Sequence, residues 1–318
     1  MHIPDGFLDA KTALATGALS AAGLGFALRE VRRELPSRRV PLLGLAAAFL
    51  FAAQMVNFPV AGGTSGHLVG GALVAALLGP AAAVVVVATV LIVQCFLFAD
   101  GGVTALGANI FNMGLVTTIS GYTIYALVSR LLPGLRGRVA ALAFAGWCST
   151  VLASIVCAGQ LAWAGTVAWT VGLPAMAGVH AFIGLGEGIV SALVYLAIAR
   201  TRPDLLPEHA AAARPARLRE FVVLGLLASL GIALFVAPFA CPWPDGLDSV
   251  AARLGFEHRA VALLLPAPAA GYQMPGLASP GVATAVAGAV GALVVFGLAV
   301  GFSRLVVQKP PSGAANHA

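Results

Sequence analysis

Residues 68–78, LVGGALVAALL, form an apolar run bounded by His67 on one side and Gly79-Pro80 on the other. The run is far shorter than the roughly 20 apolar residues that carry an α-helix across the hydrocarbon core of a bilayer. Whether it crosses decides the fold, because every later loop changes side with it. Around it lie eight longer candidate spans, roughly 12–28, 41–57, 81–98, 105–129, 139–158, 174–199, 219–237 and 282–303. If 68–78 is a tilted or half-buried ninth segment, the basic stretches 29–39 (REVRRELPSRR), 130–138 (RLLPGLRGR), 200–219 (RTRPDLLPEHAAAARPARLR) and the tail all fall on one side. With Arg304 and Lys309 they hold 15 of the 18 Lys and Arg residues, leaving Lys11, Arg253 and Arg259 on the other. The excess of positive charge marks the cytoplasmic side, so the N-terminus is expected outside and the C-terminus in the cytoplasm. Without the short segment, the 130–138 cluster would lie outside, so the charge pattern itself argues for a crossing.

The composition agrees with a multi-pass chain. Of 318 residues, 60% are hydrophobic and 9% charged, against about a quarter charged in a soluble domain. The 38 glycines suit helices that pack closely inside a bilayer. The expected fold is an all-α integral membrane protein of about nine transmembrane segments: a seven-segment body over 1–199, a cytoplasmic linker over 200–218, a two-span module over 219–306 with an external loop at 238–281, and a cytoplasmic tail at 307–318. The net charge of +6 comes from the clustered loop arginines and expresses topology in the lipid bilayer, with no nucleic-acid partner expected. Cys95, Cys148 and Cys157 lie in apolar segments and Cys241 near a loop, so neither a disulfide framework nor a CxxC metal site is drawn.

The chain opens MHIPDGFL without a basic stretch ahead of its first apolar run, unlike a cleavable signal peptide. Because His2 is not a small residue, Met1 is expected to be retained with a free amine. That amine, the amide nitrogen of His2 and the His2 imidazole through Nδ1 can close a five- and a six-membered chelate ring on one metal ion. Three nitrogens in a plane favour the tetragonal geometry of Ni(II) or Cu(II), with one in-plane position open. His67, in NFPVAGGTSGHLVGG (57–71), is the candidate for it. This Gly-rich stretch can dip into the membrane as irregular backbone buried in protein. Asn57, Thr64 and Ser65 are candidates to orient the His67 ring, since a metal-bound imidazole usually donates its other N–H to an acceptor. On spacing alone, a solvated or capping role for the two histidines stays open.

Four stretches occur in order across 1–199: MHIPDGFL, NFPVAGGTSGHLVGG, FADGGVTALGANIFNM (98–113) and HAFIGLGEG (180–188). Together they resemble the CbiM/NikM family, the substrate-binding membrane subunits of energy-coupling-factor transporters for cobalt and nickel. The resemblance implies metal coordination by the Met1 amine, the His2 amide and imidazole nitrogens and the His67 imidazole, in a prokaryotic cytoplasmic membrane. It implies no cofactor, since Ni2+ or Co2+ is the transported substrate, with nickel favoured by an all-nitrogen planar set. PWPDGLDSVAARLGFE (242–257) resembles the PDGLE module, a two-span companion related to CbiN/NikN-type subunits, with Asp248 where the motif has glutamate. Its external loop is expected to help load metal.

Energy must come from partners. Neither lysine of the chain, Lys11 or Lys309, follows the glycines of a GxxxxGK[ST] phosphate cradle. The resemblance implies a transmembrane coupling subunit of the CbiQ/NikQ type and a dimer of cytoplasmic ATPases of the CbiO/NikO type. Gly17 with Ala21, or Ala18 with Ala22, offers small-residue spacing for such a partner or for packing within the chain. His180 and Glu187 stand about two turns apart on a similar face and are expected to form a structural hydrogen-bonded pair. A proton-driven permease working through Glu187, or an intramembrane metalloenzyme using both residues, are the alternatives, and no HExxH motif supports an enzyme. Asp100, Asn109 and Asn112 are expected to make turn and interhelical hydrogen bonds. His209, His258 and His317 are assigned to loops and the tail.

Overall fold

The computed structural model describes residues 1–206, 215–262 and 264–307, without the side chains of 215–217. His209, Lys309, His317, residues 207–214 of the 200–218 linker and 308–318 of the tail lie outside the described residues. The fold is an all-α membrane bundle. Its helices are α1 (Ala10–Glu34), α2 (Val40–Gln54), α3 (Gly71–Leu78), α4 (Pro80–Phe98), α5 (Leu106–Asn109), α6 (Thr117–Leu131), α7 (Gly134–Trp163), α8 (Trp169–Thr201), α9 (Pro215–Phe235), α10 (Gly246–Leu254) and α11 (Pro280–Val306). A π-helical turn, Ile110–Val116, joins α5 to α6 in one continuous rod. A two-stranded antiparallel hairpin, β1 (Phe58–Val60) and β2 (Thr64–Gly66), pairs Phe58 with Gly66 and Val60 with Thr64. Its turn is made by Gly62 and Gly63, both at positive φ.

Among the described residues, six helical stretches are long and apolar enough to cross a membrane, and a seventh follows if α1 and the Ser37–Gln54 stretch, bent by 116°, count as one span. That differs from nine regular spans. The α2 helix has 15 residues and α3 only eight. At 1.5 Å per residue α3 covers about 12 Å. Gly79, at φ +86°, breaks the chain before Pro80 restarts it as α4. Even so, the run 68–78 connects opposite ends of the bundle. Its start lies beside Gln54 at the end of α2, whose side-chain amide donates to the Val69 carbonyl at 3.0 Å. Its finish, Leu78, packs with Leu42, Leu205 and Leu218 at the starts of α2 and α9 and the end of α8. The passage is made half by irregular backbone and half by α3.

The core is built around α4. Val84, Val85, Val86 and Val87 are all buried, as expected for a helix apolar on every face. Polar groups inside the bundle are paired across helices: Asn112 and Gln160 exchange two 2.8 Å bonds, and Gln94 donates to Gln54 at 2.9 Å. The α9–α11 pair of the C-terminal part lies against α2, and Gly44, Gly225 and Gly291 allow that approach. A Cβ on them would lie within 3 Å of Val300, Leu45 and Phe51 respectively. The four cysteines are unbridged.

Candidate metal centre

The N-terminal segment is threaded into the protein. Met1, His2, Ile3 and Asp5 are all buried. Asn109, in α5, grips both sides of one peptide: its Oδ1 accepts from the Ile3 N–H at 2.8 Å and its Nδ2 donates to the Ile3 carbonyl at 3.1 Å. The Gly102 N–H donates to the same carbonyl at 2.8 Å. Glycine is required there, since a Cβ would sit 2.2 Å from the Asp5 nitrogen. Asp5 in turn accepts from the Thr104 N–H at 2.8 Å and the Thr104 hydroxyl at 2.6 Å. The ADGG stretch is therefore a cradle for the chain terminus, with Asn109 bonding to that terminus and Asn112 to Gln160 of α7.

This threading brings His2 next to His67, with ring centroids 5.4 Å apart. The His2 Nδ1 faces Asp100, 3.2 Å from its Oδ1 and 3.3 Å from its backbone oxygen, while Nε2 is buried with no hydrogen-bond partner among the described residues. The Met1 amine donates to Asp245 Oδ2 at 2.6 Å. His67 thus borders both Met1 and His2, the amine held by the Asp245 carboxylate and Nδ1 facing that of Asp100. A three-nitrogen chelate on one ion would require both contacts to be released. Beyond this chain-terminus set, no group of three or more His, Cys, Asp or Glu side chains able to hold a metal occurs among the described residues.

His67 sits directly after β2. Its Nδ1 is 3.1 Å from the Leu68 carbonyl. Thr64 and Ser65, two of the side chains proposed to orient it, do not do so: the Thr64 hydroxyl pairs with Ser249 at 2.6 Å and the Ser65 hydroxyl donates to the Trp243 carbonyl at 2.8 Å, while the Asn57 backbone carbonyl accepts from the Cys241 N–H at 2.9 Å. All three reach toward the C-terminal loop because the hairpin forms its docking edge, with the Ser65 N–H donating to Pro244. Burial, the Met1 ammonium and His2 push the His67 imidazole down to about 4, so it is a neutral donor at physiological pH.

The residue that holds the His67 backbone is Glu187. Its two oxygens accept from the Val69 N–H at 2.5 Å and the Gly70 N–H at 2.9 Å. The expected Glu187–His180 pair does not form. Seven residues separate the two by about 10 Å along the axis, and His180 Nδ1 lies instead 2.9 Å from the Met176 carbonyl, as a helical i−4 contact. With both oxygens engaged on backbone, Glu187 acts on the loop.

Asp245 ties the C-terminal part to the site. Oδ1 caps α10, accepting from Leu247 and Asp248 N–H at 2.7 and 3.0 Å, and Oδ2 takes the Met1 amine. Burial alone would raise this carboxyl, but the Met1 ammonium holds it well below the usual carboxylate range, and the amine is reciprocally held above its ordinary value. Gly246 and Leu247, next to Asp245, are fixed by packing. A Cβ on Gly246 would lie 2.7 Å from His180 and Ile183, and Leu247 is fully buried. Asp248, the departure from the motif, is exposed at this tip and lines an open cavity of about 640 Å³ leading to His2 and His67. Tyr272 closes another wall, donating to Asp100 Oδ2 at 2.6 Å. Asp245 and Tyr272 were not singled out from the sequence. An aspartate N-cap followed by a helical run was the available signal for the first, and the second carries none. His258 lies in a short helical turn, 257–259, of the same loop. Gly17 packs on Gly107, whose Cβ would fall 2.4 Å from the Gly17 Cα, whereas Ala18, Ala21 and Ala22 are exposed.

The comparisons with known proteins divide the chain in two. The family model for the cobalt uptake substrate-specific transmembrane region matches residues 2–205, and the PDGLE domain matches 219–308. A putative fused nickel transport protein NikMN of Archaeoglobus fulgidus is 40% identical over 306 residues, covering 95% of this chain and 97% of that one. The fused nickel transport protein NikMN of Rhodobacter capsulatus is 36% identical over 246 residues, 72% of this chain and 71% of that one. A crystal structure of a transition metal transporter superposes with a TM-score of 0.59 at 31% identity, over 69% of this chain and all of that one. The chain is thus a multi-pass membrane transport protein rather than an enzyme, and it belongs to the CbiM family of nickel and cobalt transport proteins, carrying a PDGLE domain behind the family region.

Proposed function

We propose that this chain is the substrate-binding subunit of an ATP-driven, energy-coupling-factor importer of a divalent transition metal, with Ni2+ preferred to Co2+. The ligands are the Met1 amine, the His2 amide and imidazole nitrogens and the His67 imidazole. The observation that carries this reading is the burial of Met1 and His2 against the His67 ring, held there by Asn109 and the ADGG cradle. A chain terminus stripped of water and fixed by buried hydrogen bonds needs a purpose, and an all-nitrogen planar donor set suits Ni(II). The 1–199 body binds the ion, and the 219–306 module closes over it through Asp245. The body lies in the cytoplasmic membrane with its N-terminus outside and its C-terminus in the cytoplasm, the orientation that keeps the arginine clusters inside. A transmembrane coupling subunit and an ATPase dimer supply the power stroke.

The test is calorimetric titration of Ni2+ and Co2+ into the full chain, purified in detergent with its native N-terminus. His2→Ala, His67→Ala and a chain with one residue inserted ahead of Met1 should each lose binding. Normal binding by the extended chain would exclude the amine from the ligand set. Tighter Co2+ than Ni2+ binding would reverse the assigned preference.

A further inference from the structure

At the end of the bundle opposite the metal centre lies a cavity of about 280 Å³ between the body and the C-terminal module. Its wall includes Leu45 and Phe49 of α2, Leu77 of α3, Ile198 of α8, and Phe221 and Gly225 of α9, and no residue lining it has a polar side chain. Water has no partners in such a space. In a bundle whose outer surface meets lipid, the apolar material at hand is an alkyl chain.

The rim carries positive charge. The Arg202 guanidinium sits over the Phe221 ring, 5.2 Å from its centroid, and is paired with Asp204. Arg39 immediately precedes α2, three residues before the cavity-lining Leu42 and so on the same side of the first turn. Its Nη2 is buried and has no hydrogen-bond partner among the described residues. A buried guanidinium nitrogen calls for an acceptor, and phosphate is the oxyanion that a membrane presents beside an alkyl chain. Basic pockets between helices on the cytoplasmic side are the general form of anionic headgroup sites.

We infer that the seam between body and module binds one anionic phospholipid, an acyl chain filling the apolar cavity and the phosphate meeting Arg39. The lipid completes the contact between α2, α8 and α9, so the two parts of the chain are joined at one end by Asp245 and at the other by a membrane lipid. The inference is independent of which metal the chain carries.

Native mass spectrometry tests it. The full chain in mild detergent is incubated with vesicles of equimolar phosphatidylglycerol and phosphatidylcholine, and the lipid retained per chain is counted. One phosphatidylglycerol per wild-type chain is expected. Ala228→Leu and Ala46→Leu, which fill the cavity from α9 and from α2, should lose it while keeping the wild-type thermal midpoint. Arg39→Gln should still bind lipid but lower the preference for phosphatidylglycerol about fivefold, the loss of one Arg–headgroup attraction. Retention of no lipid by the wild type, or undiminished retention by the filled variants, overturns the site. Equal retention of both lipids by the wild type overturns the phosphate contact. Should both filled variants unfold, the Arg39→Gln comparison alone decides.

Discussion

The two ends of the bundle are built by opposite means. At the metal end the backbone is irregular and held by side chains: Asn109 on Ile3, Glu187 on Val69 and Gly70, Asp5 on Thr104, Asp245 on Met1. At the other end, Leu42, Leu205, Leu218 and Val222 meet as an apolar cluster of helix ends. A short helix, α3, and the strand-like passage before it connect the two. The difference teaches where precision is needed. Directional bonds fix atoms to within tenths of an ångström, which ligand geometry demands, whereas apolar packing tolerates substitution of similar volume.

The contrast should break most severely at the proposed ligands. His67→Ala is expected to weaken Ni2+ binding by more than about 100-fold in calorimetry, since loss of an outer partner alone typically costs 10–100-fold. Asn109→Ala tests the cradle: with the Ile3 N–H orphaned and its carbonyl left only the Gly102 N–H, about 1–3 kcal/mol of stability should be lost and Ni2+ affinity should fall roughly tenfold, read from thermal unfolding and titration of one preparation. An Asn109→Ala chain that binds normally would show that the terminus needs no clamp.

A smaller effect sharpens the electrostatics. Asp245 holds the Met1 amine protonated above its ordinary range, and the metal needs the amine deprotonated. Ni2+ affinity should therefore fall as pH drops, by at most about tenfold per unit for that proton, with release of about two protons per ion bound, one from the amine and one from the His2 amide. Calorimetry in buffers of differing ionisation enthalpy counts the protons, and none released would remove the amine from the set. The smallest effect belongs to the far end. Leu205→Ala should lower stability by about 2 kcal/mol and leave Ni2+ affinity where it was, and a loss of affinity there would show that the ends are coupled.

Most helices were legible because long apolar runs between arginine clusters have few alternative readings. The length of α3 was not, because the apolar residues of 68–78 look alike in extended and helical backbone. Lipid-facing and core-facing positions are both apolar here, so periodicity, the usual guide, is blunted. Met1, His2 and His67 stood out through chelate geometry and motif together. The Glu187 partnership escaped because its donors are backbone N–H groups 118 and 117 residues away, which carry no sequence signal. Thr64 and Ser65 were assigned to the His67 ring on proximity alone, while in the fold they face the loop that docks on the hairpin.

The clamp of Asn109 on Ile3 joins residues 106 positions apart, and the Met1–Asp245 ion pair joins residues 244 apart. Translation runs at about 5–20 residues per second, so the terminus waits several seconds for its clamp and tens of seconds for its counter-ion. During that interval a peptide with a bare amine and an imidazole stands unsheltered beside the membrane. The order of synthesis thus makes the Met1–Asp245 contact one of the last this protein acquires, after α1 to α9 have been made.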